Sequence, residues 1–322
     1  MTNFFDYLDQ RGDLSFDTDS FNDIDGLLLS NLSYANLKEI VPGPGEGEIT
    51  MREAAEKFHL LYPDQKIAKD KTLIRFAPYV LFKLAESERF GGAVLKNFVE
   101  CVDTDNMQFA VLEIDTGDHI PFLSYRGTDD TLAGWKEAFQ LSYMTTPAEK
   151  LSVEYLTTSL RDRTEQFRIG GYSKGGHLAV YAAIMCPPET REKILEIYDF
   201  DSPGFNEEFL ETCPDYSDLV PRIKRSVPQD STIGMLLQTL TTPTICTSSG
   251  IGVMQHDPTT WEVQGADFVR KEQFGRIGVL MKDTFDRWIG DASIEDRQHF
   301  VDDLFDVLRA SGVQQFTSFR EI

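Results

Sequence analysis

Alternating predicted strands and helices constrain the fold of this chain more than any other feature. Beyond residue 165, short apolar runs typical of strands are separated by segments with helical spacing. Strands are predicted at 167–170, 194–200, 223–227 and 244–248, with helices at 175–185 and 207–212. Such strands run parallel, because each crossover helix returns the chain to the same end of the sheet. We therefore expect a mostly parallel sheet with helices on both faces.

An antiparallel start to this sheet is predicted from the preceding segment. Strands at 93–102, 108–114 and 120–125 follow one another without intervening helical patterns. Helical spacing returns near the end of the chain, at 280–289 and 294–308. The sequence thus predicts an α/β protein whose sheet is antiparallel first and parallel afterwards.

The composition gives no sign of a second domain. The chain has 322 residues, of which 41% are hydrophobic and 26% charged, and these values are ordinary for a globular protein with a sizeable core. We expect a single domain over 1–322, in which the acidic residues 1–50 form an extension that packs on the remainder.

Charge and hydropathy exclude several classes of partner. The formal net charge of −22 argues against a nucleic-acid or anionic-membrane partner. The longest apolar stretch, 178–186, has nine residues, and a membrane-spanning helix needs about 20. The N-terminus lacks the basic and apolar regions of a signal peptide, and the four cysteines are scattered. We expect a cytoplasmic protein with no integral membrane segment.

The pattern G-x-S-x-G occurs once in a favourable setting, at residues 171–175, with a predicted strand before it and an Ala-rich helix after it. A serine at such a sharp turn lies in a strained backbone conformation that exposes its hydroxyl, and small neighbours avoid a clash with it. A phosphate-binding loop is the competing interpretation, but His177 stands where that motif needs lysine. The pattern predicts Ser173 as a nucleophile.

A serine nucleophile needs a base, usually a histidine that a carboxylate orients. In α/β hydrolases the chain order is serine, acid, histidine. The five histidines are His59, His119, His177, His256 and His299. Two precede the serine, one lies in the helix that follows it, and His299 lies in a charged helix where we expect it to face solvent. His256, in a loop after the last predicted strand, is the predicted base.

The acid is predicted to follow a strand between Ser173 and His256. Asp230 follows the strand at 223–227, and Asp199 and Asp201 at the end of the previous strand are the competitors. We favour Asp230, because its strand is the nearest predicted neighbour of the strand that leads to His256.

Acyl transfer also needs an oxyanion hole, formed by the N–H after the nucleophile and one from an earlier strand–helix loop. The backbone of Lys174 supplies the first, and Thr128, just after the strand at 120–125, supplies the second. The aromatic and apolar segment 135–144 follows this loop. It is either a lid over an acyl pocket or part of the core.

These features together resemble the fungal-type (class 3) lipases of the α/β-hydrolase fold. The matching segments, in order, are R-G-T at 126–128, Trp135, the turn at 171–176, S-P-G-F at 202–205, residues 222–230, and His256 with Trp261. The resemblance is closer to bacterial lipase-like proteins of undetermined function. Their features are found at 11–16, 21–25, 32–34, 134–135 and 255–258.

The resemblance implies a triad of Ser173, Asp230 and His256, with Thr128 and Lys174 as oxyanion donors, acting on a small-molecule acyl ester. Two departures stand out, since Tyr172 replaces a histidine found in many lipases and Lys174 replaces an apolar residue. They argue against a triacylglycerol lipase and leave ester hydrolysis as the expected activity. No motif for a metal or a nucleotide cofactor is present.

Other functions remain open at this stage. Thioesterase and peptidase activities use the same groups. A non-catalytic α/β-hydrolase-fold protein that binds a lipid or a partner would keep the pocket without turnover. The sequence does not indicate an oligomeric state.

Overall fold

The computed structural model describes residues 2–63, 67, 74–103, 107–129, 131–213 and 216–310. The strands are β1 (Glu48–Thr50), β2 (Val94–Asp103), β3 (Met107–Asp115), β4 (Phe122–Tyr125), β5 (Phe167–Tyr172), β6 (Ile194–Phe200), β7 (Ile223–Pro228), β8 (Thr244–Cys246), β9 (Val263–Gln264), β10 (Asp267–Phe268) and β11 (Arg270–Lys271).

The helices alternate with these strands in the second half of the chain. They are α1 (Phe4–Arg11), α2 (Asp23–Leu32), α3 (Met51–Leu61), α4 (Ala77–Glu86), α5 (Leu132–Gln140), α6 (Pro147–Leu160), α7 (Lys174–Met185), α8 (Pro188–Arg191), α9 (Glu207–Thr212), α10 (Tyr216–Leu219), α11 (Arg276–Asp291) and α12 (Ile294–Ala310). Short 3₁₀ helices lie at Val220–Arg222, Gly252–His256 and Pro258–Thr260.

One large mixed sheet organises the fold, with the strand order β1-β2-β3-β4-β5-β6-β7-β8-β11. The pairs from β1 to β4 are antiparallel, and the pairs from β4 to β8 are parallel. Strand β11 closes the far edge antiparallel to β8. This is the α/β-hydrolase fold, as predicted, including the antiparallel start.

Both faces of the sheet are covered, because its strands bury side chains on alternate sides. In the parallel strand β6, Tyr198 and Phe200 belong to one hydrophobic cluster, whereas Ile197 belongs to the other. The second cluster also contains buried residues of α6 and α7, such as Leu156 and Leu178. The parallel strands are therefore enclosed between layers, which explains their continuous apolar sequences.

The N-terminal segment contributes to the first of these clusters. Phe4 of α1 and Leu27 of α2 are fully buried there together with Phe122 and Phe200 of the sheet. Both helices begin with capping boxes at asparagine, in which the side chain accepts from the first-turn N–H groups. That residues 1–322 form one domain stays a prediction from the sequence.

The two C-terminal helices pack beside α5. Val301, Phe305 and Leu308 of α12 form a small buried cluster with Leu132 of α5. An ion pair joins Lys136 of α5 to Asp302 of α12 at 2.8 Å. The predicted closing helices are thus present and lie near the end of the sheet where the candidate site is found. Among the described residues, no helix is both long and apolar enough to cross a membrane.

Candidate functional site

Ser173 occupies the turn between β5 and α7, as the G-x-S-x-G pattern predicts. Its backbone has φ 58° and ψ −136°, in a region that L residues rarely adopt. A Cβ at Gly171 would lie 2.2 Å from the carbonyl carbon of Gly175, and one at Gly175 would lie 2.1 Å from the carbonyl oxygen of Tyr125. Both glycines are therefore required for the close approach that holds the turn together.

The His256 ring lies within hydrogen-bonding distance of this serine. The distance from Nε2 of His256 to Oγ of Ser173 is 3.0 Å. On the other side of the ring, Nδ1 lies 2.6 Å from Oδ2 of Asp201. The Asp201 side chain is fully buried, and its other oxygen accepts a hydrogen bond of 2.6 Å from Ser231. An alcohol, an imidazole and a carboxylate thus stand in sequence, the geometry by which a serine is activated.

The prediction that Asp230 orients this ring is wrong. Its carboxylate instead accepts a hydrogen bond of 3.0 Å from the N–H of Gly278 in α11. The Asp230 N–H donates to the side chain of Gln255 at 3.2 Å. Asp230 therefore ties the loop after β7 to the start of α11 and to the segment that carries the histidine.

Strand order explains this correction. Tyr172 and Phe200 are register partners at the ends of β5 and β6. The residues that follow them, Ser173 and Asp201, therefore lie side by side. Strand β7 lies one strand further from β5, and each strand adds about 5 Å to the distance. Asp201 therefore meets His256 because its strand, β6, lies directly beside β5 in the sheet. Asp199, the other competitor, pairs with Arg225.

Tyr172 supports the histidine directly. Its ring stacks on the His256 ring with centroids 4.7 Å apart and an interplanar angle of 24°, and its hydroxyl donates to the His256 carbonyl oxygen. Burial raises the pKa of Tyr172 well above its usual value, so this hydroxyl stays a neutral donor. The tyrosine that departs from the lipase pattern thus packs against His256.

The two predicted oxyanion donors line the same cavity as Ser173. Thr128 follows β4, and Thr128, Ser173 and Lys174 all line one cavity. Lys174 is the first residue of α7, and the first N–H groups of a helix have no intrahelical acceptor. The helix dipole also favours negative charge at this end.

Behind the turn, the side chains of Lys174 and His177 in α7 are buried. The ammonium of Lys174 lies 2.6 Å from Oε2 of Glu137 and donates to the carbonyl oxygen of Gln108 at 2.8 Å. His177 contacts Glu149 at 3.0 Å through Nε2 and the carbonyl oxygen of Gly204 at 3.1 Å through Nδ1. Both residues therefore join α7 to neighbouring elements. The exposed His299 has no part in the site, as expected.

A cavity of about 480 Å³ opens in front of Ser173. This size is within the range of small-molecule sites. Most of its lining is apolar. The apolar residues that line it include Ile74, Phe76, Trp135, Ala138, Phe139, Ile233, Leu236, Leu237, Val253, Met254, Phe285 and Ile289. The segment 135–144, considered as a lid or as core, supplies one wall of this cavity through α5.

Trp261 lies beside the site without lining the cavity. It is fully buried, and its indole N–H donates to the carbonyl oxygen of Gln255 at 2.9 Å. It therefore fixes the short helix that ends at His256. Among the described residues, no group of three His, Cys, Asp or Glu side chains is arranged to hold a metal ion.

Comparison with known proteins gives a family but little functional detail. No curated protein matches the chain. One solved structure that matches is described as the crystal structure of M37 lipase. It has a TM-score of 0.38 and 14% sequence identity, and the match covers 67% of this chain and 70% of that one. A profile of the Mbeg1-like family matches residues 84–306, more than half of the sequence, and the chain belongs to this family.

Proposed function

We propose that this protein is a serine hydrolase that cleaves carboxylic esters with an apolar acyl group. The observation that carries the proposal is the contact of His256 with both Ser173, at 3.0 Å, and Asp201, at 2.6 Å, beside an apolar cavity. The polar groups can perform the chemistry, and the cavity can hold the acyl chain.

In this mechanism, Nε2 of His256 takes the Ser173 proton as Oγ attacks the ester carbonyl carbon. Asp201 accepts a hydrogen bond from Nδ1, which selects the required tautomer and stabilises the imidazolium that forms. The imidazolium then protonates the leaving alcohol, and an acyl-enzyme remains on Ser173. Water, deprotonated by His256, releases the acid and restores the serine.

When Oγ attacks, the negative charge develops on the former carbonyl oxygen, and this oxyanion accepts hydrogen bonds from the N–H groups of Thr128 and Lys174. Each such donor is worth about 10²–10³ in kcat in comparable enzymes. The Lys174 backbone is held by its own buried side chain. We assign the second donor to the N–H of Thr128, which follows β4 and lines the same cavity as Ser173.

Fluorophosphonate labelling tests the proposal, because the reagent reacts only with an activated serine. We expect the protein to be labelled, Ser173→Ala to abolish labelling, and Ser249→Ala, at an exposed serine outside the cavity, to leave it unchanged. A panel of acyl esters, thioesters and peptides then defines the reaction, with esters expected to be turned over fastest. Labelling that persists in Ser173→Ala would remove this serine from the mechanism.

The non-catalytic alternative makes the opposite prediction. A protein that only binds a lipid would bind fatty acids but show no labelling of Ser173 and no turnover. A cytoplasmic location stays a prediction from the sequence.

A further inference from the structure

A second cavity adjoins the one in front of Ser173. It has a volume of about 280 Å³ and shares three lining residues with the first cavity. These residues are Ser142, Leu237 and Ile289. They come from three separate parts of the chain, namely the turn after α5, the loop after β7, and α11. Together they form a partition between the two spaces.

The two cavities differ in chemical character. The cavity of Ser173 is lined mostly by apolar side chains. Beyond the partition, the lining includes the charged residues Glu207, Glu208, Asp286 and Arg297. An alkyl chain that crossed the partition would displace water from these groups without replacing its hydrogen bonds, which is unfavourable. The partition therefore lies where an apolar ligand should end.

Leu237 is the unusual member of the partition. Its φ is 63°, a backbone conformation that glycine adopts freely and leucine does not. The flanking residues hold it there, since Leu236 accepts a hydrogen bond of 2.8 Å from the Gly204 N–H, and Gln238 and Phe205 exchange two more, of 2.7 and 2.9 Å. A strained residue that its neighbours fix in place, beside a ligand cavity, suggests a function for its side chain.

The other two members are also held. The carbonyl oxygen of Ser142 accepts a hydrogen bond of 2.6 Å from Arg297 of α12, and its hydroxyl donates to Phe139 at 2.9 Å. Ile289 lies on α11, whose first turns are attached to Asp230 through Gly278. The residues of the partition thus lie in segments that are held in place. The position of the partition therefore sets the length of the apolar cavity.

We propose that Leu237 determines the acyl-chain length that this protein accepts, by closing the far end of the apolar cavity. The identity of the occupant as an acyl chain rests on the proposed ester hydrolysis. Chains that end before the partition gain contacts with each added methylene, whereas longer chains must displace Leu237 or bend back toward the cavity mouth.

Leu237→Gly tests this proposal, because it removes the side chain at a backbone geometry that suits glycine. We measure kcat/KM for p-nitrophenyl acetate, octanoate, decanoate, laurate, myristate and palmitate. The variant should raise kcat/KM for esters beyond the parent's optimum length by about tenfold relative to octanoate, the scale of a few methylenes in an apolar pocket. Activity on the acetate ester should stay within about twofold of the parent.

Two control variants separate the side chain from its backbone. Leu237→Asn keeps a side chain of similar size at a position where asparagine also tolerates positive φ, so the preferred length should stay that of the parent. Leu240→Gly alters an exposed residue of the same loop, 49% accessible, and should likewise change nothing. A length preference that is the same in Leu237→Gly as in the parent would overturn the proposal.

A binding assay separates this proposal from the proposed function. In Ser173→Ala protein, affinities are measured for fatty acids from octanoate to stearate, with and without Leu237→Gly. The chain length at which affinity stops rising should increase in the double variant. If the parent hydrolyses no ester but this length increases, the hydrolase proposal fails and the partition stands. If esters are hydrolysed through Ser173 but the length does not change, the partition alone fails.

Discussion

The first turn of α7 has polar groups on two sides, and the two sides differ in access. In front, Ser173 contacts His256, whose side chain is 20% accessible, at the wall of the large cavity. Behind, the ammonium of Lys174 meets Glu137, and these two side chains are 1% and 0% accessible. The front groups can meet a ligand, whereas the rear groups meet only protein.

Access to the cavity separates polar side chains that can contact a ligand from those that only stabilise the fold. Glu137 accepts hydrogen bonds from Lys174, from the Gln108 N–H and from the Ala148 N–H, so its oxygens are satisfied within the fold. Such pairs are retained because removing one partner leaves an uncompensated buried charge. His256, by contrast, places Nε2 beside a hydroxyl that faces the cavity.

The largest expected effect is on the front side, at Asp201. Asp201→Asn should lower kcat for the preferred ester by about 10⁴, since the amide favours the wrong histidine tautomer while it keeps the shape of the side chain. Steady-state kinetics on the purified variant measure this, and circular dichroism checks that the fold is retained.

Asp230→Asn is the matched control for that experiment, because Asp230 follows the neighbouring strand. It should leave kcat within about threefold and reduce the free energy of unfolding by about 1 kcal/mol through weaker bonding to Gly278. A loss of activity in Asp230→Asn with none in Asp201→Asn would restore the acid that the sequence favoured.

On the rear side, Lys174→Met should reduce the free energy of unfolding by about 3–5 kcal/mol, because Glu137 is left as a buried, unpaired carboxylate. Urea denaturation measures the change. Adding Glu137→Gln to this variant should recover part of the loss, since the amide carries no charge. If the double variant is less stable than Lys174→Met, the ion pair does not account for the effect.

A smaller effect on kcat is expected at Tyr172, which supports His256 from the side. Tyr172→Phe keeps the ring stacked on His256 but removes the hydroxyl that donates to the His256 carbonyl oxygen. We expect kcat to fall about tenfold, the equivalent of one hydrogen bond, with KM unchanged.

Tyr198→Phe provides the comparison for this variant. Tyr198 is another buried tyrosine, on the neighbouring strand, and its hydroxyl donates to Glu196 at 2.9 Å. Its loss should leave kcat unchanged. Equal effects of the two substitutions on kcat would show that Tyr172 acts through general stability rather than by positioning the base.

Several parts of the fold and site were predictable from local patterns. The strand Ile194–Phe200 and the helix Glu207–Thr212 have the predicted bounds, because apolar runs and cap residues act over a few neighbours. The nucleophile turn was equally local, since its two glycines and Ser173 lie within five residues of one another. Predicting His256 needed only chain order and the position of the last strands.

The acid depended on information that local patterns do not contain. Asp199, Asp201 and Asp230 all lie at the end of a predicted strand or just after it, and the sequence does not say which strand lies beside the one that leads to Ser173. Strand order in the folded sheet decided it, since β6 is the direct neighbour of β5. The buried ion pair of the Lys174 side chain was likewise unpredictable, because its partner Glu137 lies 37 residues away.

Local sequence was sufficient to predict the alternation of elements, the sharp turn at Ser173 and the candidate histidine, since these follow from short-range sterics, periodicity and chain order. The packed fold was needed to establish which aspartate meets His256, that Lys174 and Glu137 are buried together behind the turn, and that Leu237 lies between the two cavities. These are contacts between segments far apart in the chain, and their distances depend on how the sheet and its covering helices pack together.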